Sequence, residues 1–184
     1  MMAQAGDIIE DPVRGERIVF QKTARDTQGE FLRFDFLMKP GVAAIPRHVH
    51  PRQEERVEVI AGTVRYRLGG SEHTLAAGQS AVLPAGIPHT LWNAGDDQVH
   101  AVFEVHPALK TELAFETLFG LARAGKTNRS GMPNPLQGAL LARDYETFLA
   151  WPPVAVQKAA MGLMAPLARL LGYRARYPEY SGPE

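Results

Sequence analysis

The stretch HVHPRQEERVEVIAG, residues 48–62, sets His48 and His50 one residue apart and follows them with Glu54, Glu55 and Glu58. Imidazole nitrogens and carboxylate oxygens are donors that borderline divalent metals accept, and both groups also move protons. In an extended strand residues i and i+2 point to one face, so His48 and His50 can reach one ligand together. Surface strands also carry His-x-His by chance, so a further source of donors is needed. The stretch GQSAVLPAGIPHTLWN, residues 78–93, offers His89. The chain has no cysteine, which excludes disulfides, thiolate ligands and cysteine nucleophiles and leaves histidine and carboxylate as the donor set.

These residues need a frame. Up to about residue 106 the chain alternates apolar and polar residues in short runs: ERIVFQKTA (16–24), EFLRFDFLM (30–38), RVEVIAG (56–62) and TVRYRLGG (63–70). HTLAAG, SAVLPAG, HTLWNAGDD and QVHAVFEV continue the pattern, with turn residues between them at intervals of about ten. Period two without intervening helices predicts an antiparallel β sandwich or barrel. After Pro107 the period changes. Leu113, Phe115, Leu118, Phe119 and Ala122 follow helical spacing, with Thr111 as the expected N-cap and Gly125 as the stop. Asn134 and Pro135 open a second helix, predicted through Leu136, Leu140, Leu141, Phe148 and Leu149. Pro152 and Pro153 open a third, from Val154 to Leu171, ended by Gly172.

Together the two histidine-bearing stretches resemble the cupin superfamily. Gly41, His48-x-His50, four residues, Glu55, six residues and Gly62 fit the first cupin motif, with one extra residue after Gly41. Gly78, Pro84, Gly86, His89 and Asn93 fit the second without a departure, and 15 residues separate Gly62 from Gly78. The resemblance covers roughly residues 30–106. It implies a mainly β double-stranded β-helix, a jelly-roll barrel over residues 1–106, with residues 107–184 as an α-helical extension packed on the barrel or at a dimer contact. It also implies one divalent metal inside, held by His48, His50, Glu55 and His89. The interval to Gly62 selects Glu55, and strand parity agrees, because Glu55 shares its face with Val57 and Val59 while Arg56 and Glu58 face out.

Three imidazoles and one carboxylate suit Fe, Mn, Ni, Cu, Co or Zn as the divalent ion. Coordination positions left open would take an anionic or enolisable oxygen donor and acidify bound water. Glu55 is the candidate catalytic proton acceptor as well as a ligand. Tyr66, Phe34, Phe36 and Met38 lie on apolar-facing positions, either as core or as the lining of a substrate pocket. An apolar pocket beside one cation fits an aromatic or enolic small molecule better than a phosphosugar. The leading expectation is a metal-dependent enzyme of dioxygenase, isomerase or cyclase type; the alternative is a non-catalytic small-molecule-binding or sensor cupin.

The remaining features narrow the partners. Net charge is zero and no helix-turn-helix accompanies the strands, so nucleic acid is not an expected partner. The opening MMAQAGDIIEDPVRGER has neither a basic start nor an apolar run of seven, so a cytoplasmic location is expected. The run GLARAGKT (120–127) has the P-loop pattern but falls at a helix end rather than a helix start, which excludes a phosphate cradle. His73, His100 and His106 are expected at the surface. The apolar run in the third helix is too short to span a bilayer, leaving intramolecular packing, a homodimer contact or an interfacial helix.

Overall fold

The structure, a computed structural model, describes residues 3–181. Eleven strands and four helices run in the order β1 (Ile8–Asp11), β2 (Glu16–Lys22), β3 (Leu32–Met38), β4 (His48–Val49), β5 (Glu54–Ala61), β6 (Thr63–Leu68), β7 (Ser71–Ala76), β8 (Ser80–Leu83), β9 (His89–Asn93), β10 (Val99–His106), α1 (Thr111–Arg123), α2 (Pro135–Tyr145), β11 (Phe148–Leu149), α3 (Val154–Leu170) and α4 (Pro178–Ser181). One antiparallel sheet has the order β1-β2-β3-β10-β5-β8 and the other β11-β4-β9-β6-β7. From β3 onward the chain passes repeatedly from one sheet to the other. At the β5–β6 crossing Gly62 adopts φ 83°, and a Cβ there would meet Val99 at 3.0 Å, so both conformation and space require glycine.

The alternation read from the sequence sorts residues to the two faces of each strand. Val57, Phe103, Phe34 and Phe20 form one register row on the inner face of the larger sheet. Phe34 stacks on Phe103 at 5.5 Å and meets Phe115 of α1 edge-on at 5.2 Å. Val64, Leu75 and Leu91 of the smaller sheet join the same buried cluster, so the two sheets face each other across one core. Among the described residues no strand of one sheet pairs with a strand of the other, so the expected barrel is two facing sheets that hydrogen bonds do not close. Backbone pairing is lost at corners such as Gly62, where the chain turns between layers.

Helix α1 spans the expected residues, and its Phe119 lies in the core between the sheets. Its N-cap is Lys110 rather than Thr111. The Thr111 hydroxyl accepts instead from Gln53 Nε2 at 2.7 Å, and the same amide reaches the carbonyls of Pro107 and Ala108. Asn134 caps α2 by accepting from the Leu136 N–H at 2.9 Å. The helix stops at Tyr145 because Glu146 takes a left-handed conformation, φ 54°. Phe148 and Leu149, read from the sequence as helical, form β11 instead and pair with Val49 and His48. Lys126 of the P-loop-like run lies over the rings of Tyr177 and Tyr180, beyond the end of α1.

Helix α3 packs through Ala165 and Ala168 on Leu140 of α2, while Leu163 and Leu170 on its other side are 84% exposed. Among the described residues no helix is long and apolar enough to cross a membrane. Near its start Gln157 holds the free edge of β11. Its side chain accepts from the Leu149 N–H at 3.1 Å and donates to the Leu149 carbonyl at 2.8 Å. Gln157→Ala removes both bonds at a part-buried edge and should cost about 1 kcal/mol. Urea unfolding measures it; a change within about 0.5 kcal/mol would mean that water replaces the amide.

Candidate metal centre

Strand β4 is two residues long, and its register sets His48 directly opposite His89 of β9. Opposed side chains in a ladder sit side by side, and these two rings are 4.6 Å apart. His50 lies just past the strand, yet its ring turns to the same place, 5.0 Å from His48 and 5.5 Å from His89. Each ring offers one nitrogen, and the three nitrogens lie within 4.8 Å of one another. Glu55, near the start of β5 in the facing sheet, brings Oε1 to 3.3 Å from His50 Nε2 and Oε2 to 3.4 Å from His89 Nε2. Glu54 pairs outward with Arg56, and Glu58 is exposed.

Proton accounting orients the rings. The Nδ1 atoms of His48 and His89 lie 3.0 Å from the carbonyls of Pro46 and Ile87. A carbonyl only accepts, so each Nδ1 carries a proton, and in the neutral ring each Nε2 presents a lone pair. Metal-binding histidines use this same arrangement, in which an outer acceptor fixes the tautomer.

Electrostatics point the same way. Burial pushes His48 down to about 4, helped by the neighbouring imidazoles, and lowers His50 for the same first reason. Burial alone would raise Glu55, but the His89, His50 and His48 rings reverse this and hold its carboxyl at about 2. Burial would likewise lower His89, but the Glu55 carboxylate outweighs it and leaves the imidazole raised. At neutral pH the group is therefore an ionised carboxylate beside two neutral imidazoles, His48 and His50, with His89 the most readily protonated of the three. His89 is 1% exposed, and its Nε2 has no hydrogen-bond partner among the described residues. A buried polar atom in that condition is costly, and a cation at the centre supplies what it lacks. The donor set fits a divalent transition metal, which His48, His50 and His89 could hold.

Residues 34–105 match the family described as Cupin domain. The chain is a member of the cupin superfamily. Over 71 residues it is 35% identical to a protein named Polyketide synthase CurC from Streptomyces cyaneus, covering 39% of this chain and 46% of that one. The chain thus spans about half the length of the first curated relatives it matches. It is 26% identical over 156 residues to one named Probable oxidoreductase virH from Hypocrea virens, covering 78% of this chain and 71% of that one. Among solved structures, a Klebsiella pneumoniae protein described as having a double-stranded beta-helix domain is 30% identical, with 44% of this chain and 70% of that chain covered and a TM-score of 0.40.

The other residues singled out in this cupin take varied places. Phe34 and Met38 are buried, Phe34 among the rings of Phe36, Phe103 and Phe115. Phe36 and Tyr66 are half-buried against the same core. Tyr66 stacks at 5.0 Å on His73 of β7, which is exposed as expected. His100 Nε2 lies 2.7 Å from Asp35 and His106 Nε2 3.0 Å from Glu104, so neither joins the cluster. One residue of the centre has no counterpart among the sequence expectations. Thr147, between α2 and β11, lies with Oγ1 3.3 Å from His50 Nδ1. No motif flags it, because it stands 97 residues from the histidine it meets.

Proposed function

We propose that this cupin is a metal-dependent enzyme acting on a small organic molecule with an aromatic or enolic oxygen donor. The reading rests on the convergence of three imidazoles on an ionised carboxylate in a buried place. His48, His50, His89 and Glu55 hold the divalent ion, which when bound supplies a Lewis acid for an oxygen donor. Glu55 acts first as an anionic ligand. A carboxyl held at about 2 is a weak proton acceptor near neutrality, since general bases work best with a pKa near the working pH. Tyr66, two residues along β6 from Leu68, the register partner of His89, is the other proton-bearing group for the reaction. Half-buried Phe36 and Tyr66 line the approach, with Phe34 and Met38 behind. Relatives named polyketide synthase and oxidoreductase support the substrate class and the dioxygenase, isomerase or cyclase type of reaction. On this reading the jelly-roll cupin unit is residues 3–106 and the largely helical extension residues 107–181, which returns β11 to the smaller sheet.

Elemental analysis of purified protein tests the reading, followed by oxygen uptake and isomerisation assays on a panel of aromatic and enolic compounds. About one divalent ion per chain is expected, with turnover lost in Glu55→Ala. A protein that neither carries nor takes up Fe, Mn, Ni, Cu, Co or Zn would overturn it. Metal without turnover for any of the six would favour a binding or sensor role.

A further inference from the structure

We propose that Thr147 is a positioning residue for His50, and that the segment 145–150 of the helical extension is a wall of the metal centre. The inference rests on the reading of His48, His50 and His89 as ligands and adds a residue from outside the matched cupin segment. The Thr147 hydroxyl lies 3.3 Å from His50 Nδ1 and 3.4 Å from the Tyr145 carbonyl. A hydroxyl has one proton, and the carbonyl can only accept it. The oxygen lone pair is then free for His50 Nδ1–H, which leaves His50 Nε2 unprotonated and turned towards Glu55. All three histidines thereby share one arrangement: Nδ1–H on an oxygen, from Pro46, Thr147 or Ile87, and Nε2 at the centre.

The neighbours of Thr147 hold it in place. Phe148 is 1% exposed and pairs with Val49, Leu149 pairs with His48, and the Ala150 N–H donates to the Arg47 carbonyl at 2.9 Å. Glu146 meets Arg52 on the surface at 2.5 Å. Residues 146–150 thus track residues 47–52, which carry two of the three imidazoles. Outer partners of metal-binding histidines typically change affinity by about 10–100-fold. A 3.3 Å hydrogen bond from a neutral hydroxyl belongs at the low end of that range. Binding couplings are reciprocal, so metal at the centre also tightens the segment that orients His50.

The test compares the wild-type protein with Thr147→Val, which keeps the shape and loses the hydroxyl, and Thr147→Ser, which keeps the hydroxyl. Zn(II) affinity by competition calorimetry should fall about tenfold in Thr147→Val and return to within about twofold in Thr147→Ser. In metal-free protein, nitrogen NMR of the His50 ring should show the Nδ1–H tautomer in the wild type and Thr147→Ser, and a mixture in Thr147→Val. Amide exchange at Ala150 should slow on Zn(II) addition in the wild type. Unchanged affinity and an unchanged His50 tautomer in a folded Thr147→Val would overturn the proposal. If the wild type takes up no Zn(II), the affinity comparison is made with whichever of the other five ions it binds; if it takes up none of the six, the ligand reading fails by itself, and the tautomer comparison still decides the role of Thr147. Should Thr147→Val not fold, a wild-type-like tautomer in Thr147→Ala would equally overturn it.

Discussion

Replacing His89 by alanine is expected to weaken binding of a divalent metal at least a hundredfold, about 3 kcal/mol, while replacing His73 leaves it unchanged. His89 occupies the middle of the site: its ring faces His48 across the ladder, its Nε2 faces Glu55 and its Nδ1 is committed to the Ile87 carbonyl. Removing it takes away a proposed ligand and a main partner of a buried carboxylate. His73 stacks on Tyr66 across the β6–β7 pair and joins no cluster of metal donors among the described residues. The pH dependence carries the same signature. A proton on an imidazole competes with metal, and competition begins at His89, whose pKa is raised. It extends to His50 and His48, both lowered, as pH falls towards 4, so the loss of affinity steepens below about pH 5. His89→Ala removes the first of these protons and flattens the upper part of the curve. Competition calorimetry between pH 7.5 and 4 on the three proteins checks this. Equal losses in His73→Ala and His89→Ala would mean the third imidazole is misassigned.

The metal-free protein should lose stability to acid through His48, and His48→Gln should relieve it. The folded imidazole titrates at about 4 and the unfolded one at about 6.5, so below pH 6.5 the unfolded chain takes the proton first. Stability therefore falls with pH across that window, by an amount on the order of 3 kcal/mol at pH 4. His50 acts in the same direction, and Glu55 adds its share between 4.5 and about 2, where its stabilisation is lost. His89 acts oppositely: its raised pKa contributes stability below 6.5 that disappears as pH rises through the folded value. Glu116, pushed by burial up to about 7, and Glu112 and Glu16, raised for the same reason, also favour the folded state as pH falls towards the unfolded carboxyl range. Total stability therefore blends opposing contributions. The difference between wild type and His48→Gln, measured by urea unfolding with chelator present, isolates the His48 share. A difference that stays constant from pH 7 to pH 4 would show that His48 titrates normally in the folded protein.

Much of this was legible in the sequence where local chemistry and final structure agree. Alternation puts Val57 and Phe34 on the inward faces of their strands, where both join the core, and Asn134-Pro135 marks the start of α2. The spacing of His48, His50 and His89 named the imidazoles that lie together. What stayed hidden depends on distant partners. Phe148 is seven residues after Leu141, a helical interval, so it read as helix; the left-handed turn at Glu146 and the open edge of β4 make it a strand. Thr111 looked like a cap, but the buried Gln53 amide takes its hydroxyl. Thr147 is an ordinary threonine until β11 carries it to His50.

The late position of β11 in the chain gives the centre a history in time. About 58 residues separate His89 from Thr147, so a growing chain exposes all three imidazoles before the strand beside His48 exists. At roughly 5–20 residues per second of synthesis, that interval lasts about 3–12 s. During it the site has its donors but lacks the hydroxyl on His50 and the edge against His48. On the reading proposed above, an ion met in that interval would meet an incomplete site, and the complete one exists only once β11 has paired with β4.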